Sequence, residues 1–269
     1  MSLPDHKLGA LSRRIAVCKR ALAARPLLLS GGLALVVSLV FWFFPGIDHT
    51  VTGWYYSNET WFPARTDPLL NGFRHFGIEL SRGIAIWTLS LVVIRILFWR
   101  FPAVLSGRAL AFLVSCAALG PGLLINVFLK DFWGRPRPHM VQDYGGGAPY
   151  VKVWEISDYC FDNCSFVSGE AASSFWPIAF AFLLPKEMRA GFVTIVCLLS
   201  ATLSLNRIAF GGHFLSDVTI SWCLTLFVIL AMKKLILDRG AGGPDPYDDF
   251  LTGIGRKSWG LIGRKVDAA

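Results

Sequence analysis

Three short stretches of the chain carry the side chains whose types and spacing could perform chemistry. They read KDFWGRPRPHM from Lys130, SFVSGEAAS from Ser165 and NRIAFGGHFLSD from Asn206. Guanidinium and ammonium groups bind phosphate oxygens. An imidazole oriented by a carboxylate is a nucleophile. Taken together, the three stretches indicate phosphoryl transfer.

The first stretch places Lys130, Arg135 and Arg137 close together, with a proline after each arginine. A residue that precedes proline favours extended backbone, so both guanidinium groups are expected on stiff chain that suits phosphate binding. The alternative is that the three cations reach toward lipid headgroups at a helix end. For Arg135 in particular, contact with substrate and contact with a headgroup both stay open.

The second stretch puts Ser168 and Gly169 at the start of an apolar run, followed by Glu170. Backbone N–H groups at a helix N-terminus favour an anion there. The alternative is ordinary helix capping, with Glu170 as an acid of the first turn.

The third stretch contains Arg207, a Gly211-Gly212 turn, His213 and Asp217. A spacing of four residues puts His213 and Asp217 on one helix face. The carboxylate can then fix the tautomer of the imidazole. The alternative is a structural polar pair that links helices, but such a pair is costly at the edge of an apolar segment.

The composition predicts which elements position these residues. Hydrophobic residues make up 54% of the 269-residue chain and charged residues only 16%, and the mean hydropathy is +0.52. These values are typical of an integral membrane protein. The apolar runs are 27–47, 83–99, 109–129, 171–185, 190–206 and 218–232. We therefore predict an all-α, polytopic membrane bundle of six transmembrane helices.

The chain divides into three predicted parts. Residues 1–25 form a basic cytoplasmic segment, residues 26–236 form the six-span domain, and residues 237–269 form a mobile cytoplasmic tail rich in Gly, Pro and Asp. Lys and Arg concentrate before the first span and in alternate short loops, which puts both termini in the cytoplasm. The three chemical stretches then meet at the outer membrane face. The net charge of +8 comes largely from this excess of Lys and Arg on the cytoplasmic side, where it suits binding to anionic membrane lipids. It gives no reason to expect a nucleic-acid partner.

Two of the six cysteines, Cys160 and Cys164, lie in the long outward loop. In an oxidising compartment they could form a disulfide. They could instead bind a metal, but no nearby histidine completes such a site, so the sequence favours the disulfide and no metal site.

The spaced residues resemble the three signatures of the type-2 phosphatidic acid phosphatase superfamily, which includes vanadium haloperoxidases, and the chain is most similar to its bacterial membrane branch. Lys130, Arg137 and Pro138 match the first signature. Ser168 and Gly169 match the middle of the second. Arg207, His213 and Asp217 match the third.

The resemblance implies a role for each matched residue. His213 would attack phosphorus to form a phosphohistidine, and Asp217 would orient it. The phosphoryl oxygens would be held by Lys130, Arg137, Arg207, Ser168 and Gly169. Water would hydrolyse the intermediate, and no metal or other cofactor is expected.

The sequence departs from the family pattern at three positions. Val167 stands in place of proline, and Asn206 in place of the usual serine. Glu170 stands where the family has its second histidine, the proton donor to the leaving group. Our hypothesis is that Glu170 donates this proton, which requires the carboxyl to be protonated in the substrate complex. The alternatives are a substrate with a better leaving group, such as a diphosphate, or a catalytically weakened or phosphate-transferring relative.

The expected function is hydrolysis of a lipid phosphate, monoester or diphosphate, at the periplasmic leaflet of the inner membrane. Candidate substrates are lipid A, phosphatidylglycerol phosphate, phosphatidic acid and polyprenyl diphosphate. A non-catalytic lipid-binding relative is an alternative, for which the missing histidine is the main support. A transporter is a further alternative, but the ionisable residues gather at span ends rather than at mid-span.

Overall fold

The computed structural model describes residues 25–240 and 242–266, and it confirms the predicted all-α fold for them. The predicted basic segment at the N-terminus lies outside these residues, apart from Arg25. The helices are α1 (Pro26–Phe43), α2 (Gly46–Gly53), α3 (Pro68–Leu97), α4 (Gly107–Phe132), α5 (Gly169–Phe175), α6 (Lys186–Ala209), α7 (Leu215–Asp238) and α8 (Pro246–Val266).

Five of these helices, α1, α3, α4, α6 and α7, are long and apolar enough to cross a bilayer. Their most apolar windows have mean hydropathies between 1.7 and 2.1. Only 11% of the α1 window and 6% of the α3 window is buried inside the protein. Helices that are apolar on their outward surface need lipid around them, so the bundle belongs in a membrane.

The predicted fourth span, 171–185, is not one long helix. The seven residues of α5 continue as a seven-residue 3₁₀ segment, Trp176–Phe182. Pro177 lies at the junction, where its missing N–H cannot continue an α-helical hydrogen-bond ladder. Among the described residues this is the one predicted span that does not form a single helix long enough to cross a bilayer. The count of six spans therefore remains a prediction.

Helix α3 begins much earlier than the sequence predicted, at Pro68 rather than near residue 83. Asp67 caps it by accepting a hydrogen bond from the Leu70 N–H at 2.9 Å. Proline is well suited to the first helical position. The connection between the first two predicted spans, residues 48–82, was expected to be an outward loop. This prediction is wrong over its second half, which contains Arg74 and Arg82.

The predicted mobile tail is wrong for residues 246–259, because α8 packs against α3 and α4. The Arg95 guanidinium binds Asp248 through two hydrogen bonds of 2.8 and 2.7 Å. Asp245 accepts a hydrogen bond from the Arg108 N–H at the start of α4. The Gly/Pro-rich stretch is therefore a short connection to a docked helix.

The centre of the bundle is α7, which packs against α1, α4 and α5. Ile125 of α4, Ala172 of α5 and Ile220 of α7 lie in one buried cluster. The Gly-Pro-Gly sequence at residues 120–122 of α4 lies in a π-helical stretch, Ala118–Leu129. These contacts bring the C-terminal end of α4 and the N-terminal ends of α5 and α7 to the same side of the bundle.

Candidate active site

The ends of four helices supply the residues predicted from the three stretches. Lys130 lies near the C-terminus of α4, Glu170 in the first turn of α5, Arg207 in the last turn of α6, and His213 just before α7. Lys130 and Glu170 line one cavity, and the Glu170 Oε1 atom lies 3.1 Å from the Arg207 Nε atom. The structure therefore brings the three separated stretches together.

His213 has the tautomer that a nucleophile needs. Its Nδ1 atom lies 2.9 Å from the Ser165 carbonyl oxygen. A carbonyl only accepts hydrogen bonds, so Nδ1 carries the proton and the Nε2 lone pair is available for attack. Burial, with the charges of Arg137, Arg207 and Lys130, lowers the pKa of His213 well below its ordinary value. The imidazole is thus neutral at neutral pH.

Asp217 acts on His213 less directly than predicted. Its Oδ2 atom lies 3.9 Å from Nδ1, which is too long for a hydrogen bond. Asp217 instead accepts hydrogen bonds from the Ser165 hydroxyl at 2.5 Å and the Phe214 N–H at 2.8 Å. It therefore holds the residue whose carbonyl orients the imidazole.

Arg135 lies in the protein interior rather than facing a substrate, because its side chain is 0% exposed. Its Nη1 atom is 2.5 Å from Asp217 Oδ1, and its Nη2 atom is 3.0 Å from Asp48 Oδ2. Its Nε donates to the Val151 carbonyl at 2.8 Å. These contacts argue against both sequence-based alternatives, substrate and headgroup, and make Arg135 a support for Asp217.

Asp48 is a site-supporting residue that sequence reasoning missed. Its Oδ1 atom accepts the Ser216 N–H at 2.9 Å, and its Oδ2 atom accepts the Ser216 hydroxyl at 2.6 Å. A carboxylate directly after the first apolar run was the available signal, but it was assigned to a loop. Asp48 and Asp217 share the single guanidinium of Arg135.

Ser168 and Gly169 form the tightly packed start of α5. The Ser168 Oγ atom accepts the Ala171 N–H at 3.3 Å, as a helix cap does. A Cβ at position 169 would lie 2.0 Å from Asn126 Oδ1 of α4. Only glycine allows this approach, which sets the first turn of α5 against the end of α4 beside Lys130.

Arg207 needs the two glycines that follow it. Gly211 has a φ of +59°, a conformation that favours glycine. A Cβ on Gly212 would lie 2.5 Å from Arg207 Nη2. The turn therefore folds back over the guanidinium group. Arg137, the other predicted arginine, donates to the Asn163 carbonyl at 2.9 and 2.6 Å.

Glu170 is paired with two arginines. Its Oε1 atom lies 3.1 Å from Arg207 Nε and 3.3 Å from Arg74 Nη2. These contacts join α3, α5 and α6 in one charged cluster. Arg74, on α3, is a second residue that the sequence analysis missed, because the region was interpreted as a loop.

The cavity beside Glu170 is suited to an amphipathic ligand. It has a volume of about 440 Å³ and lies between α3, α4 and α5. Its charged lining includes Arg74, Lys130 and Glu170, whereas Ala85 and Ala117 contribute small apolar surfaces further along the helices. A charged group could bind among the cations while an apolar portion extends between the helices.

Cys160 and Cys164 form a disulfide in the structure. The bond lies in the long segment between α4 and α5, which also contains Asn163, the partner of Arg137. The disulfide therefore closes a short loop around one residue that contacts a site arginine.

Comparisons with known proteins identify a sequence family and several similar proteins. Residues 108–241 match the sequence profile described as the PAP2 superfamily. The chain is 35% identical over 196 residues to a lipid A 4'-phosphatase of Francisella tularensis subsp. novicida, covering 69% of this chain and 86% of that protein. It is 43% identical over 117 residues to a lipid A 4'-phosphatase of Rhizobium etli. That match covers 44% of this chain and 46% of the relative.

A lipid A 4'-phosphatase of Rhizobium leguminosarum is 39% identical over 117 residues, which is 44% of this chain and 50% of that protein. The chain thus spans about half the length of the two rhizobial relatives. No solved structure matches it.

Proposed function

Because the chain belongs to the PAP2 superfamily, we propose that it hydrolyses a phosphomonoester of a membrane lipid, and that this lipid is lipid A. The observation that carries the proposal is the buried His213 ring, whose Nδ1 atom is bound to the Ser165 carbonyl so that Nε2 is the nucleophilic atom, close to the charges of Lys130, Arg137 and Arg207. Cations fixed around a nucleophile stabilise the charge that develops on a transferring phosphoryl group. Their fixed charges supply this stabilisation without a metal ion.

The proposed reaction has two steps. In the first, His213 Nε2 forms a bond to phosphorus, the bond from phosphorus to the lipid oxygen breaks, and the Glu170 carboxyl gives its proton to that oxygen. In the second, water attacks phosphorus, its proton passes to the Glu170 carboxylate, and the N–P bond breaks. Inorganic phosphate leaves, and His213 returns to its neutral form.

Two considerations favour lipid A among the candidate substrates, and a third concerns the side of the membrane. The similar proteins from Francisella and Rhizobium are named lipid A 4'-phosphatases, so we propose the 4'-phosphate as the group removed. The cavity joins a charged end to small apolar surfaces, as a glycolipid headgroup with acyl chains requires. The distribution of Lys and Arg supports cytoplasmic termini, and therefore a site at the periplasmic leaflet of the inner membrane.

Phosphate release in detergent tests the function. The purified protein is incubated with lipid A, phosphatidylglycerol phosphate, phosphatidic acid or polyprenyl diphosphate, and mass spectrometry of the lipid A product locates the phosphate that was lost. We expect release from lipid A at the 4' position, and none from the His213→Ala variant. Binding of these lipids without any release would instead support the non-catalytic alternative, which is favoured by the occupation of two arginines by Glu170.

Replacing Glu170 with glutamine tests the proton donor. We expect turnover of lipid A to fall by about 10²- to 10⁴-fold, the usual contribution of a positioned acid. Turnover of an aryl phosphate, whose leaving group needs no proton, should fall far less. Both rates are measured as phosphate release. A Glu170→Gln variant that hydrolyses lipid A at the normal rate would exclude this role.

The pH dependence of the first step tests the state of His213. Because its pKa is lowered, the imidazole stays neutral as the pH falls through about 6.5, where an ordinary histidine becomes protonated. The rate of phosphohistidine formation in a single turnover should therefore show no loss due to His213 between pH 7.5 and 6.5. The measurement is best made on an aryl phosphate, because its leaving group needs no proton from Glu170. A rate that halves near pH 6.5 would contradict the prediction.

A further inference from the structure

Arg74 lies outside residues 108–241, the part of the chain that matches the superfamily profile. It is on α3, well before the first of the three motif stretches. It nevertheless lines the same cavity as Lys130 and Gly169. Helix α3 thus contributes a cation to a site that the motifs assign only to later elements.

Two guanidinium nitrogens beside Glu170 lack an acceptor. Within the described part of the chain, the Nε atoms of Arg74 and Arg207 are both buried without a hydrogen-bond partner. Arg207 Nε is 3.1 Å from Glu170 Oε1, but the pair has the distance of an ion pair without the angle of a hydrogen bond. Buried donors are nearly always satisfied in folded proteins. These two N–H groups indicate a place for a further anionic acceptor.

The geometry around Glu170 fits one phosphoryl group. A single oxygen, Oε1, contacts both Arg74 Nη2 and Arg207 Nε. Two guanidinium groups that one carboxylate oxygen bridges are close enough to bind different oxygens of one tetrahedral anion. Arginine forks suit such an anion because they offer several N–H donors in a fixed plane.

The charge of Arg74 also acts on Arg137, a predicted phosphate ligand, and on the neighbouring Arg65. Burial lowers the pKa of Arg137, and the charges of Arg74 and Arg65 lower it further, against the opposing effect of Glu170. Burial and the charge of Arg74 likewise lower the pKa of Arg65. Like charges so close together are unfavourable unless anions lie between them. Glu170 supplies one negative charge there, and a phosphate dianion would supply two.

We propose that Arg74 is a further ligand of the substrate phosphoryl group, and that Glu170 Oε1 occupies a phosphate-oxygen position between Arg74 and Arg207 until substrate replaces it. The proposal rests on the proposed function. Replacement by a dianion frees the Glu170 carboxylate and leaves it beside negative charge, where it takes up a proton from water. Substrate binding thereby produces the protonated acid that the first step consumes.

Binding of inorganic phosphate to the purified full-length protein tests the proposal without requiring turnover. Isothermal titration at pH 8 in two buffers of different ionisation enthalpy gives both the affinity and the number of protons taken up. The variants are Arg74→Gln, Arg74→Lys, Glu170→Gln and Lys130→Gln. The matched control is Arg100→Gln, an exposed arginine just after the far end of α3. Gel filtration and helical circular dichroism show that each variant is folded.

We expect Arg74→Gln to weaken phosphate binding by roughly 10- to 100-fold, the effect of losing a hydrogen bond to a charged group. Arg74→Lys should recover part of this loss, and Arg100→Gln should bind as the original protein does. Glu170→Gln should bind phosphate more tightly and without proton uptake, because the competing carboxylate is gone.

Two results would overturn the proposal, and they differ in what else they reject. Normal affinity in Arg74→Gln with weakened binding in Lys130→Gln would reject Arg74 alone and leave the proposed phosphatase site standing. Normal affinity in both variants would reject the phosphate site itself, and with it the proposed function.

Discussion

Replacing His213 with alanine is expected to lower the turnover of lipid A by about 10³-fold or more. Its Nε2 atom is the proposed nucleophile, and the loss of a covalent nucleophile is among the largest single effects in an enzyme. The His213 ring is buried and neutral, and its Nδ1 atom is bound to the Ser165 carbonyl, which leaves Nε2 for attack. We therefore expect no neighbouring side chain to substitute for it as the nucleophile.

Trapping the phosphohistidine intermediate tests directly whether His213 is the nucleophile. Lipid A carrying ³²P in its phosphate groups should transfer acid-labile radioactivity to the original protein after a rapid quench, and none to His213→Ala. His139 is the matched control, because it lies at the same end of the bundle with its Nδ1 bound to the Gly211 carbonyl at 2.8 Å. Its replacement by glutamine should leave the label in place. Label that persists in His213→Ala would assign the nucleophile to another residue.

Replacing Arg135 with methionine is expected to destabilise the protein by about 3–5 kcal/mol, the cost of breaking a buried ion pair from one side. Arg135, Asp48 and Asp217 all have side chains that are 0% exposed. Removal of the guanidinium leaves two carboxylates buried without a shared cation. We also expect loss of activity, because Asp217 holds the Ser165 residue that orients His213.

Thermal and denaturant unfolding in detergent measure the change in stability. The matched control is Arg82→Met, which removes an arginine from an ion pair with Glu79 whose two side chains are 66% and 64% exposed. Exposed pairs contribute little, so this variant should unfold like the original protein. Addition of Asp48→Asn to Arg135→Met should restore part of the stability, because one buried charge is removed. Unchanged unfolding of Arg135→Met would show that the buried carboxylates need no cation.

The local features of the site were largely predictable from the sequence. Each of these features depends on residues that are adjacent in the chain: the proline after each arginine, the Ser-Gly start of α5 and the glycine pair before His213. The disulfide between Cys160 and Cys164 required only that two cysteines in one loop lie near each other. The fourth predicted span failed as a single helix, because an apolar run does not reveal how Pro177 redirects the backbone.

Arg135 shows most clearly what the sequence alone could not predict about the site. It is separated from Arg137 by a single proline, and the sequence gives both residues the same chemistry. One guanidinium lies in the interior between Asp48 and Asp217, whereas the other binds the Asn163 carbonyl near the site. Which arginine faces inward depends on residues from α2 and α7 that lie far away in the chain.

The amino-acid sequence by itself determined the apolar helices, the order of the three chemical stretches and their predicted use in one site. Periodicity, length and motif spacing determine these features, and all three are properties of neighbouring residues. Only the tertiary structure decided that Ser165 rather than Asp217 holds the imidazole, that Glu170 lies between two arginines, and that Arg74 of α3 joins them. Such pairings require helix ends distant in sequence to pack together, and their charges interact strongly because that packing removes water from between them.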